Sequence, residues 1–204
     1  MKIAIIGHGN VGGALAKNWA KSGHNIIIGT RKAQDEKAAQ LVAEHELIKT
    51  APIQEVVATA DTVLVATPPQ VATALARSWG TLPGKVIIDA TNAIWQQPEG
   101  YDTAYNAFAD ITKAEVVKAF NTTGFENMEN PQYGETTADM FVAGDSETAK
   151  EMARKLANEA GFERVYDFGG GDKVKALEHF AFAWINLAIM QGEGRNMAFK
   201  VLKK

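Results

Sequence analysis

The sequence predicts an α/β protein built on a doubly wound, mostly parallel sheet, and three observations predict it. Short apolar runs alternate with helical patterns along most of the chain. Those runs are rich in Val and Ile on both alternating faces. A glycine-rich turn, GHGNVG, stands between the first run and the first helical pattern. Strands that are apolar on both faces suit a parallel sheet covered by helices on either side, joined by right-handed crossovers.

The runs KIAIIG, NIIIGT, DTVLVAT, KVIIDAT, EVVKAF and DMFVAGD are the expected strands. After the first, Leu15, Ala16, Trp19 and Ala20 fall at helical spacing, and Gly23 is placed to close that helix in a left-handed conformation. Thr67-Pro68-Pro69-Gln70 reads as a capping box with proline at the first helical position. Ala149, Met152, Ala153, Leu156 and Ala160 form one apolar stripe, opposite Lys150, Arg154, Lys155 and Glu159. From about Gly171 the pattern changes, so the expected division is a sheet domain over 1–170 and a helical C-terminal tail over 171–204.

Composition excludes several classes of function. The 204 residues contain no cysteine, which removes disulfides, thiolate metal sites and cysteine nucleophiles; no metal site is expected. A net charge of −3 argues against nucleic acid or an anionic membrane as partner. Gly7 to Gly13 break the N-terminal apolar run where a signal peptide needs a longer stretch, and the apolar run Phe180 to Met190 is too short to span a bilayer. A cytoplasmic protein with no membrane partner is expected.

The turn GHGNVG carries the first chemistry. Gly7 permits the tight turn, Gly9 lets backbone approach a pyrophosphate, and Gly12 lets helix pack close to strand; Asn10 and Val11 offer N–H groups at the helix N-terminus. A strand before and a helix after make this the dinucleotide fingerprint of a Rossmann fold. His8 lies either over the pyrophosphate or as an exposed loop imidazole. Eighteen residues beyond Gly12, where an NAD site presents a carboxylate to the ribose, the chain has Thr30, Arg31 and Lys32. A hydroxyl, a bidentate guanidinium and an ammonium suit a 2′-phosphate, so the expected cofactor is NADP(H).

Ligands of this fold lie at the carboxyl ends of the strands. The residues there include Ala66, Thr67, Pro68, Asn92, Asn121, Thr122, Thr123 and Gly124, a polar set without an evident general acid or base. Asp89 falls one or two residues short of that edge and either orders Asn92 or a loop amide or, as is commoner for such an aspartate, simply caps a turn. Hydride transfer between a nicotinamide and a flavin-like ring needs two planes held face to face and no such group.

GHGNVG at the N-terminus, IIIGTR, VATPP and VVKAFNT together resemble the coenzyme F420 (deazaflavin)-dependent NADP oxidoreductase family. The same module is similar to the cytosolic reductase domain of the six-transmembrane epithelial antigen ferric reductases. The resemblance covers the whole chain, including the ending QGEGRNMAFKVL. It implies that Gly7 to Val11, Thr30, Arg31, Thr67 and Pro68 hold NADP, and that Thr123, Gly124 and the neighbourhood of Asn196 line a site for a deazaflavin or flavin acceptor. Archaeal members carry a proline where this chain has Thr-Thr-Gly-Phe, and His8 stands where a small residue is common.

Residues His179 to Met190 are apolar around nearly the whole circumference of a helix, interrupted by Asn186. One sheet cannot cover all of them, so a homodimer through this helix is expected, with the acceptor pocket close by. Two other functions remain open. A reductase of carbonyls or imines shares the first domain but carries a longer helical substrate domain. An NADP(H) sensor would bind without turnover.

Overall fold

The computed structural model describes residues 1–32 and 34–204. The element order is β1 (Lys2–Ile6), α1 (Asn10–Lys21), β2 (Asn25–Thr30), α2 (Glu36–Glu44), β3 (Ile48–Pro52), α3 (Ile53–Thr59), β4 (Thr62–Val65), α4 (Ala72–Trp79), β5 (Val86–Asp89), α5 (Ala104–Thr112) and β6 (Glu115–Lys118). There follow α6 (Phe125–Glu129), the short pair β7 (Gln132–Tyr133) and β8 (Thr136–Thr137), then β9 (Asp139–Val142), α7 (Glu147–Glu159), β10 (Arg164–Asp167) and α8 (Val174–Ile185).

Strands β3-β2-β1-β4-β5-β6 form one sheet, parallel throughout. The strand order reverses between β1 and β4, which makes a crevice at their carboxyl ends. Two apolar cores, one on each face, hold helices against it. Leu15, Trp19 and Leu156 belong to one core; Val56, Ala76, Phe108 and Leu177 belong to the other. A doubly wound Rossmann fold is thus present, with the apolar runs buried on both sides as a parallel sheet requires.

Three details depart from expectation. The edge strand β3 escapes notice, because its sequence IKTAP buries only Ile48 fully and leaves Lys49, Thr50 and Pro52 exposed; an edge strand so exposed lacks a continuous apolar run. The run DMFVAGD is not a strand of the central sheet. As β9 it pairs in parallel with β10, and a single antiparallel bridge, Lys118 with Ala143, ties the pair to the end of β6. Thr67 caps no helix: a 3-10 turn, Pro69–Val71, precedes α4, its preceding residue is Pro68, and the Thr67 hydroxyl has no hydrogen-bond partner. The first of the two prolines occupies the capping position itself.

Helix α1 ends as expected, with Gly23 just past it at φ +86°. The stripe on α7 faces the core, but Lys150, expected on the opposite face, is buried. Its ammonium reaches Asp167 at 2.8 Å and Glu147 at 2.6 Å. The tail is helical only to Met190, where α8 passes through a π-helical turn, Asn186–Met190. Beyond it the chain runs back as an extended strap. Asp139 N–H donates to the Phe199 carbonyl, Val201 N–H donates to Asp139, and Trp184 Nε1 donates to the Met197 carbonyl at 2.7 Å. Among the described residues no helix is long and apolar enough to cross a membrane.

Candidate functional site

The glycine turn is built by close backbone contacts. Gly7 has φ +97°, and a Cβ there would lie 2.5 Å from the Ala66 carbonyl oxygen; a Cβ on Gly12 would lie 2.0 Å from the Gly7 oxygen. Gly9 is different, because a Cβ there would meet nothing within 4 Å. It precedes α1, and no side chain caps that helix. The N–H groups of the first turn of α1, at Asn10 and Val11, therefore face an open space with the positive end of the helix behind them.

The parallel ladder continues one residue past each strand, which brings the edge loops into line. Ala66 N–H donates to Ile6, Ala90 to Val65, and Ala119 to Asp89. Phe120 then adopts φ +58°, unusual for a bulky residue, while its buried ring packs edge-on to Trp19. That backbone turn sets Asn121 beside Asn92. Asn92 Nδ2 donates to the Asn121 carbonyl at 2.9 Å, and Asn121 Nδ2 donates to Asn92 Oδ1 at 3.0 Å. Asn121 Oδ1, Thr91 Oγ1 and Thr67 Oγ1 are buried without a partner. Three unsatisfied polar atoms on the end loops of β4, β5 and β6 fit a polar ligand that supplies the missing bonds.

At the end of β2, Thr30 is half-buried and Arg31 and Lys32 are exposed; neither cation has an ion-pair partner among the described residues. Thr30, Gln34, Asp35, Val42 and Thr50 line a cavity of about 540 Å³ beside them. His8, expected over the pyrophosphate or exposed in the loop, is largely buried and has a partner: Nε2 lies 3.0 Å from Asp35 Oδ1, and Nδ1 is buried and unpartnered. Asp35 also caps α2 through the Ala38 N–H, and that bond, with help from His8 and against partial burial, holds its carboxyl below the usual range.

Beneath the edge Asp89 is joined by two charged groups that no motif marks, Lys118 and Glu178. Lys118, at the end of β6, is 0% exposed and lies 2.8 Å from Asp89 Oδ2 and 2.5 Å from Glu178 Oε1 of α8. The contact with Oε1 lacks the alignment of a hydrogen bond and is an ion pair. Lys118 also donates to the Thr91 carbonyl at 2.7 Å. Asp89 does order a loop amide, that of Thr91, at 2.9 Å. The one signal in the sequence is a lysine inside the apolar run EVVKAF, which a strand covered on both faces must bury.

Thr123 lies at the mouth of the end loop of β6, where it accepts from Asn127, which in turn donates to the Met197 carbonyl. Thr122 is buried. Gly124 is close-packed because a Cβ there would lie 2.8 Å from the Trp184 ring. Asn196 is exposed in the strap, next to Met197. Arg195 holds the strap down, paired with Glu126 and lying over the rings of Phe125 and Trp184. Among the described residues no group of three or more His, Asp or Glu gathers to hold a metal.

Fold and crevice define a dinucleotide-binding protein of the Rossmann class. Residues 2–93 match the family model described as NADP oxidoreductase, coenzyme F420-dependent. The F420-dependent NADP reductase of Methanothermobacter thermautotrophicus (strain Delta H) is 30% identical over 220 residues, covering 98% of this chain and 94% of that protein. The chain belongs to the coenzyme F420-dependent NADP oxidoreductase family. A crystal structure from Arthrobacter sp. FB24, provisionally described as an F420-dependent NADP-reductase, aligns over 100% of both chains with TM-score 0.85 and 28% identity. The imine reductase BcSIRED of Bacillus cereus BAG3X2 has the same fold, with TM-score 0.65 at 18% identity; this chain spans 94% of its own length but 63% of that enzyme's.

Proposed function

We propose that the chain transfers hydride between NADP(H) and a deazaflavin or flavin ring. The observation that carries the reading is the space over Gly9, which faces the uncapped N-terminus of α1 at the point where the strand order reverses. NADPH supplies the hydride when bound. The protein supplies position. Gly7, Gly9, Asn10, Val11 and Gly12 hold the pyrophosphate, with His8 alongside, and Thr30, Arg31 and Lys32 hold the 2′-phosphate. Ala66, Thr67, Pro68, Asn92 and Asn121 border the nicotinamide, whose carboxamide matches the unpaired Asn121 and Thr67 oxygens. Thr122, Thr123, Gly124 and Asn196 belong to the acceptor side.

No side chain needs to move a proton in this scheme, which agrees with Asp89, Lys118 and Glu178 being buried beneath the edge and Lys118 being paired with both acids. The shared fold of the imine reductases leaves about a third of their length without a counterpart here. Dimerisation in the cytoplasm completes the reading. It is supported by an apolar surface next to the acceptor side: Trp95 is 67%, Ile189 52% and Met190 55% exposed.

Stopped-flow oxidation of NADPH against coenzyme F420, FMN and FAD tests the proposal. Rapid oxidation with one of them is expected. Tight NADPH binding with no turnover by any acceptor would identify a sensor, and failure to bind NADPH would remove the reading altogether.

A further inference from the structure

The buried charges under the edge all end on one loop. Asp89 accepts the Thr91 N–H, Lys118 donates to the Thr91 carbonyl, and Glu178 Oε2 accepts the Ala93 N–H at 3.2 Å. Glu178 Oε1 pairs with the same Lys118, and the glutamate is 3% exposed. Between the two anchored residues stands Asn92, locked to Asn121 by two hydrogen bonds. A helix of the C-terminal tail thus holds one end of the loop that presents this amide pair.

Packing alone does not account for the arrangement. Buried ion pairs are often replaced by apolar residues without loss of stability. Here one ammonium faces two carboxylates, and burial pushes the Glu178 carboxyl above its usual range, with Asp89 adding to the effect and Lys118 opposing it. We propose that Glu178 is a positioning residue for hydride transfer: in its ionised form it holds Lys118 and the Ala93 N–H, and so fixes the loop Thr91–Ala93 and the Asn92–Asn121 pair against the nicotinamide. This rests on the hydride-transfer reading of the same edge.

The sign of the pH effect follows from the raised value. The unfolded chain releases this proton at pH ~4.3, before the folded chain does, so ionisation of Glu178 lowers stability as pH rises through the folded value. Glu178→Gln keeps an oxygen for the Ala93 N–H, leaves Lys118 paired with Asp89, and imitates the protonated acid. The substitution is expected to leave the urea midpoint at neutral pH unchanged or raised, and to change NADPH affinity less than about threefold. Single-turnover hydride transfer is expected to fall by about tenfold or more, since small misplacements of reacting groups cost that much or more. A contact that served stability alone would do the opposite.

The charged groups facing Glu178 are Asp89 of β5 and Lys118 of β6. Both remain in the variant, so the ratio of wild-type to variant rates isolates Glu178 and is expected to fall towards one as pH is lowered. In the unloaded protein, the Ala93 amide resonance should move with pH in the wild type and stay fixed in E178Q. Equal rates for the two proteins across pH, or an Ala93 resonance that does not titrate in the wild type, would overturn the proposal. The resonance needs only the wild type and remains decisive if the variant does not fold. A wild type that neither binds NADPH nor reduces coenzyme F420, FMN or FAD would instead overturn the hydride-transfer reading.

Discussion

Gly9 and Gly12 are three residues apart and meet opposite surroundings. The space beside Gly9 is empty, so Gly9→Val should leave the urea midpoint nearly unchanged while removing NADPH binding in a fluorescence titration, because its branched side chain fills the pyrophosphate's path. Gly12→Ala should fail the other way. Its methyl group would overlap the Gly7 carbonyl, and the fold should lose about 3 kcal/mol or more. A Gly9→Val protein that folds and still binds NADPH would sink the site assignment. Arg31 is a separate test at the same scale. A charge-assisted hydrogen bond contributes ~1.5–3 kcal/mol, so Arg31→Ala should weaken NADPH about ten- to a hundredfold and leave NADH nearly unchanged. Equal affinities for NADPH and NADH in the wild type would exclude the 2′-phosphate role. These residues are legible in sequence because each sits at a fixed offset from a strand. His8 is not, since its partner Asp35 is 27 positions away and a turn pattern records no such contact.

Among the elements, legibility follows burial. Strands β1, β2, β4, β5 and β6 are each covered on two faces and read as continuous apolar runs. Strand β3 lies at the edge of the sheet with only Ile48 fully buried, and its exposed Lys49, Thr50 and Pro52 hide it. Lys118 shows the reverse, for the run EVVKAF is plain while no pattern marks the partners of the charge within it. The ammonium lies between two carboxylates with no solvent to replace it. Lys118→Ala leaves both acids without their partner, and breaking such a buried pair costs about 3–5 kcal/mol. The urea midpoint should fall accordingly. A shift no larger than that of a surface lysine would mean that the triad contributes nothing to holding α8 on the sheet.

The tail decides how the whole molecule is assembled. Part of the apolar circumference of α8 is covered within the chain: Val174 and Leu177 enter the core, Phe180 stacks on Phe199 at 4.5 Å, and Trp184 bonds to the strap. The strap has no periodic pattern, because Asp139 and backbone carbonyls order it, and this is why the sequence shows only a helix with too much apolar surface. Truncation after Gly171 would strip Glu178 from Lys118 as well as the covering of one sheet face, so an aggregating fragment is expected rather than a soluble binding domain. What the strap leaves bare includes the apolar side chains Leu187, Ile189 and Met190 on the π-helical turn, while Trp95, also exposed, packs edge-on against Phe182 of α8. An isologous contact of two such patches is the simplest covering for them, and it would place the partner beside the acceptor side of each crevice. Sedimentation should therefore show a dimer at micromolar concentration. Ile189→Glu with Met190→Glu should yield a monomer with a little-changed urea midpoint, since both residues are more than half exposed. NADPH affinity should survive in that monomer while the rate with the acceptor falls, because the glycine turn lies at the far end of the dinucleotide. A wild type that sediments as a monomer, or a double variant that remains dimeric, would move the interface elsewhere and leave the patch to the acceptor alone.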